Sequence, residues 1–440
     1  MSVPYWVTEA RERIWTRAEQ VPLEALADWD TDPAAGGIRH RSGRFFSVEG
    51  LGVRLPGHPV PHWQQPIINQ PETGLLGLLT ARVDGVPHAL IQLKPEPGNW
   101  GGLQLSPTVQ ATRSNYTGVH RGAQVPYLEH FLAADPKRVT ADLRLSEHGS
   151  WFLGKRNRNM IVEAGPEAGA GEPAPGFRWL SFAELRRLLA VDDLVNMDTR
   201  SVLSCLPAVP AVPAGTAVAV GPAEPGPALH GTGEILGWIN RARSRSRTGL
   251  RERLPLDRLA GWRRADGRIG HDSGRFFEVI GVRVEAAGRE VGGWDQPMIA
   301  PRHTGVLAFL LTRIDGVPHI LVQLRAEAGA LAGPELAPTV QCTPENYELL
   351  PAAARPAFLA EVLGAAPEAV RFDTVLSDEG GRFHHSRSRH LIVELDPAAG
   401  RPEHPDYRWV TPGQLRELLH LGPYVNMQAR SLLACLDATC

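Results

Sequence analysis

Hydrophobic and polar residues alternate along two short segments of the chain, residues 86–94 and 103–112. A period of two is typical of β-strands that pack one face and leave the other face polar. In the first segment Leu90, Gln92 and Lys94 share a face. In the second segment one face carries only polar side chains, namely Gln104, Ser106, Thr108, Gln110 and Thr112. The two segments therefore predict strands of a sheet with an unusually polar face.

Further strands and several helices are predicted on either side of these segments. A turn at residues 147–149, which recurs at 378–380, should join two strands, the second of them over residues 152–162. Residues 181–190 begin with Ser181 and have Glu184 three positions later, a capping-box pattern for a helix that recurs over residues 411–419. Other helices are predicted over residues 9–19, 127–133 and 234–247. The whole pattern indicates an α+β fold in which a mixed sheet is flanked by helices.

An internal repeat divides the chain into two modules. Residues 63–116 align without a gap on residues 294–347, and 28 of the 54 aligned positions are identical. Such similarity over this length indicates a tandem duplication. We therefore predict a first module over residues 1–206, a Pro/Ala/Gly-rich linker over residues 207–230 and a second module over residues 231–440.

Charge and cysteine content indicate a small-molecule partner and a reducing compartment. The 46 basic and 48 acidic residues nearly cancel, so no excess of positive charge attracts nucleic acid or an anionic membrane. Four cysteines in 440 residues do not make a disulfide framework. Cys205 and Cys435 occupy equivalent apolar segments of the two modules, and we expect both to be buried thiols.

Targeting and membrane-spanning segments are not predicted. The first ten residues lack the basic and apolar stretches of a signal peptide. The best candidate for a membrane span, residues 203–220, is interrupted by Pro207, Pro210 and Pro213. We expect a cytoplasmic protein that binds neither membrane nor nucleic acid.

The common cofactor and metal motifs do not occur in the sequence. There is no G-x-x-x-x-G-K-[ST] loop, no strand-linked G-x-G-x-x-G, no H-E-x-x-H and no paired C-x-x-C. His384 and His385 are adjacent, but neighbours on a strand point to opposite faces, which argues against a shared metal ion. We expect neither a cofactor nor a metal.

A dense set of hydrogen-bonding side chains predicts a pocket for phosphate and sugar. Arginine suits phosphate oxygens, amides and hydroxyls suit sugar hydroxyls and base edges, and a tryptophan can stack on a base or sugar. The candidate substrate-binding residues are Trp63, Gln92, Asn99, Gln104, Ser106, Thr108, Gln110, Arg113, Ser114, Asn115, Trp151, Lys155, Arg156, Asn157, Arg158 and Asn159. The alternative for the string KRNRN at residues 155–159 is a solvated edge strand whose charges discourage aggregation.

Comparison of the modules predicts that the first is better equipped for catalysis. Lys94 becomes Arg325, Arg113 becomes Pro344 and Lys155 becomes Ser386, whereas Glu96 and Gln110 have identical counterparts. A second pocket is predicted from Trp294, Arg325, Glu327, Thr339, Gln341, Asn346, Tyr347, His384, Arg387 and Arg389. The alternative to a catalytic role in the first module is that Glu96 and Tyr116 only stabilise the sheet.

Two long motifs closely resemble the NDP-hexose 2,3-dehydratases of deoxysugar biosynthesis. They are KPEPGNWGGLQLSPTVQATRSNY at residues 94–116 and WFLGKRNRNMIVE at residues 151–163. The resemblance covers almost the full chain, including PTVQCTPENY and YVNMQARSLLACL of the second module. It implies a Nudix-like fold in each module, a homodimer and the substrate dTDP-4-keto-6-deoxyglucose. The region that corresponds to the magnesium-binding Nudix helix offers only Glu129 and Asp135, which makes metal-dependent hydrolysis doubtful.

The chemistry implied by this resemblance is the elimination of water without a redox cofactor. The C3 proton of such a substrate lies α to the C4 carbonyl, so a base can remove it if the enolate is stabilised. We assign Glu96 as the base, Lys94 as the group that stabilises the enolate and Tyr116 as the acid that protonates the departing C2 hydroxyl. Diphosphate binding is assigned to Arg113, Arg156 and Arg158, and contact with thymine or sugar to Trp63. A 3-ketoreductase would take the product.

Two other functions stay open from the sequence. A divergent Nudix hydrolase that cleaves a nucleotide sugar would need magnesium and carboxylates that the chain does not display. A non-catalytic nucleotide-sugar sensor would bind its ligand without chemical change.

Overall fold

The computed structural model describes residues 2–32, 36–113, 124–165, 171–207, 227–246, 250–288, 291–396 and 404–439. The α-helices in these ranges are α1 (Val3–Ala10), α2 (Glu129–Leu132), α3 (Phe182–Leu188), α4 (Met197–Ser204), α5 (Thr232–Ser246), α6 (Leu359–Leu363), α7 (Pro412–Leu421) and α8 (Met427–Leu436). Short 3-10 helices lie at Leu23–Ala25, Pro136–Arg138, Leu256–Arg258, Pro344–Glu348, Ala352–Ala354 and Pro367–Ala369.

The strands fall into two sets of twelve within the described residues, one set in each half of the chain. The first half contains β1 (Trp15–Val21), β2 (Trp29–Thr31), β3 (Ile38–His40), β4 (Ser47–Arg54), β5 (His62–Asn69), β6 (Leu75–Val83), β7 (Val86–Pro95), β8 (Leu103–Ser106), β9 (Val109–Ala111), β10 (Val139–Ser146), β11 (Arg156–Glu163) and β12 (Phe177–Ser181). The second half contains β13 (Leu250–Leu254), β14 (Trp262–Ala265), β15 (Arg268–His271), β16 (Phe277–Ala287), β17 (Gly293–Pro301), β18 (Gly305–Ile314), β19 (Val317–Arg325), β20 (Glu335–Pro338), β21 (Val340–Cys342), β22 (Val370–Ser377), β23 (Arg387–Glu394) and β24 (Tyr407–Val410).

Each half builds a seven-stranded sheet with the same strand pairing. In the first half the order is β10-β11-β6-β7-β12, with β8 against β7 and β9 against β6. In the second half the order is β22-β23-β18-β19-β24, with β20 against β19 and β21 against β18. One pair in each sheet is parallel, β11 with β6 and β23 with β18. The mixed α+β fold that the pattern predicts is therefore observed.

The two smaller sheets exchange strands between the halves. Strand β1 of the first half pairs antiparallel with β16 of the second half, with Ala18 opposite Val284. Strand β13 of the second half pairs antiparallel with β4 of the first half, with Glu252 opposite Gly52. Each half therefore needs the other to complete a sheet.

The centre of the molecule is a core shared by both halves. Helices α4 and α8 pack against each other, and the main hydrophobic cluster draws side chains from both, such as Val202 and Leu432. The buried guanidinium of Arg200 donates to the Ser431 hydroxyl at 2.7 Å, and that of Arg430 donates to the Ser201 hydroxyl at 3.0 Å. Because a buried charge without hydrogen bonds is costly, this reciprocal pair fixes how the halves meet.

Most sequence predictions of secondary structure agree with these elements. The strand predicted over residues 86–94 is β7, the helix over 234–247 is α5, and both capping boxes form, at Ser181 and at Thr411. The strand predicted over 103–112 is interrupted between β8 and β9, where the Thr108 hydroxyl donates to the Leu90 carbonyl oxygen at 2.5 Å. The strand predicted from residue 152 begins only at Arg156, and the helix over 127–133 is reduced to α2.

The helix predicted over residues 9–19 is wrong. Helix α1 ends at Ala10, and residues from Trp15 onward form β1 instead. The cause is tertiary, because β1 gains its hydrogen bonds from β16, a strand that no local pattern brings near it.

Buried thiols occur where the sequence predicts them. Cys205 and Cys435 are buried and form no disulfide, and burial raises the pKa of the Cys205 thiol to about 11 and that of Cys435 to about 12. None of the helices in the described ranges is long and apolar enough to cross a bilayer.

Candidate active site

A cavity of about 700 Å³ lies where the large sheet of the first half meets strands β16 and β17 and the β22–β23 loop of the second half. The first half contributes Lys94, Glu96, Gln110, Lys155 and Asp198 to its wall, among others. The second half contributes Trp294, Gln296, Glu379 and Arg382, among others. This volume suits a ligand of metabolite size, and its lining carries both acidic and basic groups.

Glu96 is held at the cavity by a chain of side-chain hydrogen bonds. It follows the end of β7 and is only 8% exposed. Its Oε1 accepts a hydrogen bond from Gln110 Nε2 at 3.0 Å, and Gln110 Oε1 accepts one from Asn196 Nδ2 at 2.9 Å. Because Asn196 is the N-cap of α4, the orientation of the carboxylate is tied to the central helix pair.

Two ammonium groups point into the same region and are also anchored by hydrogen bonds. Lys94 Nζ donates to the Gln110 carbonyl oxygen and Lys155 Nζ to the Glu72 carbonyl oxygen, each at 2.5 Å. Burial lowers the pKa of Lys155, an effect opposed by the nearby carboxylates of Glu379 and Glu147. The cavity therefore holds fixed positive charge beside its acids.

Two carboxyl groups of the cavity are held towards their protonated form. Burial raises the pKa of Glu379 to about 7, with Arg382 opposing the shift and Glu96 adding to it. Burial also raises the pKa of Asp198 well above its usual range, helped by the neighbouring Glu147 and Glu379. Buried acids that keep a proton near neutral pH can donate it during a reaction, and such groups cluster at functional sites.

A backbone clasp between the halves brings Glu379 to this cavity. Gly98 N donates to the Gly380 carbonyl oxygen at 2.8 Å, and His385 N donates to the Gly98 carbonyl oxygen at 2.9 Å. Next to this clasp, a Cβ atom on Gly381 would lie 3.0 Å from Glu379 Oε1 and 3.4 Å from Glu96 Oε1. One carboxyl oxygen from each half therefore lies within 3.4 Å of that position beside Gly381.

The raised pKa of Glu379 predicts how stability depends on pH. Because its folded pKa of about 7 exceeds the usual 4.5, the folded state loses stability as pH rises between these values. Glu379→Gln is therefore expected to raise the free energy of unfolding at pH 8 by on the order of 1–3 kcal/mol, with little gain at pH 4.5. Thermal unfolding at both pH values measures the difference.

Glu335 provides a matched control for this experiment. Burial raises its pKa to about 7 as well, although its carboxylate accepts a hydrogen bond from the Ser146 hydroxyl at 2.6 Å and does not line the cavity. Glu335→Gln should show the same pH-dependent gain. Equal stabilisation by Glu379→Gln at both pH values would contradict a titrating carboxyl group.

The structure brings together five of the first-half residues proposed from the sequence. Lys94, Glu96, Gln110, Lys155 and Asn157 line the cavity. Several others form hydrogen bonds within the protein instead: Gln92 to the Pro107 carbonyl oxygen, Asn99 to that of Gly102, Gln104 to Ser377, Ser106 to Asn196, Thr108 to Leu90, and Asn159 to Ser201. These residues brace the sheets around the cavity and lie outside its wall.

All three tryptophans proposed for the pockets differ from the expectation. Trp63 does not line the cavity, and its indole nitrogen donates to Gln65 at 2.9 Å. The second-half counterpart Trp294 lines it instead, as a result of the way the halves interlock. Trp151 stacks on His148 with ring centroids 4.5 Å apart and packs against Phe383.

The predicted arginines lie apart from the cavity wall. Arg113 and Arg158 line a separate surface depression of about 530 Å³ together with Arg144, and Gly74 borders both spaces. Arg158 also forms a forked ion pair with Asp142 at 2.7 and 2.8 Å. Arg156 lines neither space. The edge-strand alternative for residues 155–159 is wrong, because β11 lies between β10 and β6.

Three proposed residues, Ser114, Asn115 and Tyr116, lie outside the described residues. Their assigned roles, including that of Tyr116 as the acid, stay predictions.

The equivalent carboxylate of the second half is engaged by protein groups. Glu327 Oε1 accepts hydrogen bonds from Gln341 Nε2 at 2.8 Å and from the Ser150 hydroxyl at 2.9 Å. Arg325 Nε lies 3.9 Å from the same oxygen, where the first half has Lys94. The remaining residues of the proposed second pocket have these contacts: Thr339 with Leu321, Asn346 with Phe276 N, Tyr347 with Arg325, Arg387 with Asp193, and Arg389 with Asp373.

The two histidines do not point to opposite faces as the sequence suggested. His385 has φ of +53° in a turn before β23, and the rings of His384 and His385 stack with centroids 3.9 Å apart. Among the described residues, no group of three or more His, Cys, Asp and Glu side chains is arranged to hold a metal ion.

Sequence reasoning missed Asp198, Gln296, Glu379 and Arg382. No motif surrounds them, but three of them differ sharply between the halves, since Asp198 aligns with Gln428, Glu379 with His148 and Arg382 with Trp151. A comparison that extended beyond the aligned 54 positions could have found these three from their change in charge.

Carboxyl and ammonium groups packed around one metabolite-sized cavity define a site for acid–base chemistry. The chain belongs to the NDP-hexose 2,3-dehydratase family, whose sequence model matches residues 1–206 and 232–436.

Three curated proteins resemble the chain over nearly its whole length. All three carry the name dTDP-4-dehydro-6-deoxy-alpha-D-glucopyranose 2,3-dehydratase. The protein of Streptomyces violaceoruber is 49% identical over 98% of this chain and 95% of its own length. Those of Amycolatopsis orientalis and Saccharopolyspora spinosa are 44% and 45% identical, over 98% of this chain and 89% and 90% of their own lengths.

Proposed function

We propose that this chain eliminates water across C2 and C3 of dTDP-4-keto-6-deoxyglucose, the compound that the relatives' names call the 4-dehydro sugar. The observation that carries the proposal is a cavity in which Glu96 and Lys94 meet carboxyl groups whose pKa burial raises, in a chain of this family. Proton removal and departure of a hydroxyl group require just such a pair of base and acid.

The C4 ketone of this substrate makes the first step accessible. The Glu96 carboxylate removes the C3 proton, and the electrons of that bond move towards the C4 oxygen. Lys94 stabilises the negative charge that develops there, because an ammonium group in a partly buried site interacts strongly with an oxyanion. The C2–O bond then breaks, water leaves, and the enol that remains becomes the 3,4-diketone.

Recognition of the diphosphate is proposed for Arg113 and Arg158. Their depression borders the cavity at Gly74 and also contains Arg144, so three guanidinium groups adjoin the reaction site. Arginine binds phosphate oxygens through two parallel hydrogen bonds. Arg156 lines neither space, so it is not included in this proposal.

One incubation tests the proposed reaction against its alternatives. Purified protein and dTDP-4-keto-6-deoxyglucose are mixed with and without EDTA, together with a 3-ketoreductase and NADPH that trap the unstable diketone. Loss of one water, unaffected by EDTA, is the expected result. Release of a nucleoside monophosphate that EDTA abolishes would indicate a Nudix hydrolase, and saturable binding without a change in mass would indicate a sensor.

Three further features are part of the proposal. A Nudix-like origin of both halves by duplication is supported by the identical strand pairing of the two large sheets. The helix that corresponds to the Nudix helix is reduced to α2, a single turn with one carboxylate, Glu129. A homodimer and a downstream ketoreductase follow from the family resemblance.

A further inference from the structure

The second half of the chain places a carboxyl group directly in the cavity of the first half. Glu379 lies in the loop between β22 and β23, and the clasp formed by Gly98 and Gly380 holds this loop against the end of β7. Glu379 Oε1 and Glu96 Oε1 approach the same point next to Gly381. The proposed base and a second carboxyl group therefore come from opposite halves of one polypeptide.

The proposed reaction needs two groups in opposite protonation states. A base accepts the C3 proton, and an acid supplies a proton to the C2 oxygen, because hydroxide is a poor leaving group. When two carboxyl groups share a buried site, repulsion between their charges favours the state in which one of them keeps a proton.

We propose that Glu379 is the general acid that protonates the C2 hydroxyl as it leaves, a role that rests on the proposed dehydration. In this step the C3–H bond breaks and its proton passes to Glu96. The C2–O bond breaks, the Glu379 proton completes a water molecule, and the C3–H electron pair becomes the C2–C3 double bond. Tautomerisation of the enol, which loses a proton from the C3 oxygen and gains one at C2, restores both carboxyl groups.

Asp198 is the other carboxyl group of the cavity whose pKa burial raises, and its position differs from that of Glu379. Asp198 belongs to the first turn of α4 and is 5% exposed, whereas Glu379 is less deeply buried and lies beside Glu96 around Gly381. An acid next to the base can reach a hydroxyl on the carbon adjacent to C3. Asp198→Asn provides the comparison variant for this choice.

Glu379→Gln in the full chain separates proton removal from departure of the hydroxyl group. In deuterium oxide Glu379→Gln is expected to exchange the C3 proton of the substrate for deuterium much faster than Glu96→Gln does. NMR of the C3 position in recovered substrate measures this exchange. Loss of water is expected to fall by about 100-fold or more, as for the removal of a general acid. Glu335→Gln, which removes an equally perturbed carboxyl group outside the cavity, should eliminate water at the wild-type rate.

A substrate with fluorine in place of the C2 hydroxyl gives a second readout. Fluoride leaves without a proton, so Glu379→Gln should release it at a rate within about threefold of wild type while Glu96→Gln does not. If Glu379 had only a structural role, Glu379→Gln would slow the reaction of both substrates equally. Retained fluoride release therefore distinguishes a general acid from a structural residue.

Four results would overturn the assignment. The first two concern Glu379→Gln with the normal substrate: water loss at the wild-type rate, or loss of C3 proton exchange together with water loss. The third is that Glu379→Gln fails to release fluoride from the fluoro substrate. The fourth is that Asp198→Asn or Tyr116→Phe shows the pattern expected for Glu379→Gln. If the proposed function itself were wrong, the wild-type protein would release no water. That result differs from all four of these, which concern only the role of Glu379.

Discussion

Glu96→Gln is expected to lower the rate of water loss by about 100- to 10,000-fold, with the affinity for dTDP unchanged. Glutamine keeps the volume of the side chain and can still accept a hydrogen bond from Gln110, so the fold and the cavity wall are preserved. It cannot accept the C3 proton, and the loss of a general base has an effect of this size. Turnover of the trapped product and titration with dTDP separate the chemical step from binding.

Glu327→Gln is the matched comparison, since it makes the same change at the equivalent position of the other half. Glu327 accepts hydrogen bonds from Gln341 and Ser150, so its replacement is expected to affect stability more than turnover. A loss of turnover as large as that of Glu96→Gln would mean that both halves are catalytic. Near wild-type turnover in both Glu96→Gln and Lys94→Ala would refute the assigned roles.

Gly98→Ala is expected to abolish turnover and to lower the free energy of unfolding by about 3 kcal/mol or more. The added Cβ would lie 1.8 Å from the Phe383 carbonyl oxygen, a backbone atom that cannot move without opening the clasp. Both hydrogen bonds of the clasp would be lost, and Glu379 would move away from Glu96. Overpacking against rigid backbone typically destabilises by this order. Chemical denaturation and turnover measure the two effects.

Gly101→Ala is the control on the same loop. A Cβ there would meet nothing within 4 Å, and the cost should be limited to about 1 kcal/mol from its φ of +77°. Gly101→Ala should therefore keep most of its activity. If both variants behaved alike, the clasp would have no special role in forming the site.

The two residues that we propose as catalytic in the first half could be selected from the sequence because they lie close together in it. Lys94 and Glu96 occupy the end of β7 and the residue just beyond it, and Gln110 lies on a short strand that folds back onto the same sheet. An alternating pattern fixes which side chains share a face, so such a group is visible in a linear sequence. The same reasoning assigned too many residues to the site, because polar side chains such as those of Gln104 and Thr108 form hydrogen bonds with other protein groups and do not line the cavity.

Residues supplied by the other half could not be located by the same reasoning. Trp294 and Glu379 reach the first-half cavity only because β1 and β13 exchange between sheets and the Gly98 clasp forms. No local propensity encodes these long-range contacts. The wrong helix over residues 9–19 has the same origin, since pairing with β16 outweighs the local preference.

The sequence by itself determined the family, the repeat, most strands and helices, and the first-half groups Lys94 and Glu96, because periodicity, capping and motif similarity are local properties. Tertiary structure alone decided that the cavity is built by both halves and that the pKa values of two of its carboxyl groups are raised. Burial and the nearness of like charges raise the pKa of Glu379 and Asp198, and both causes exist only once residues distant in sequence pack together.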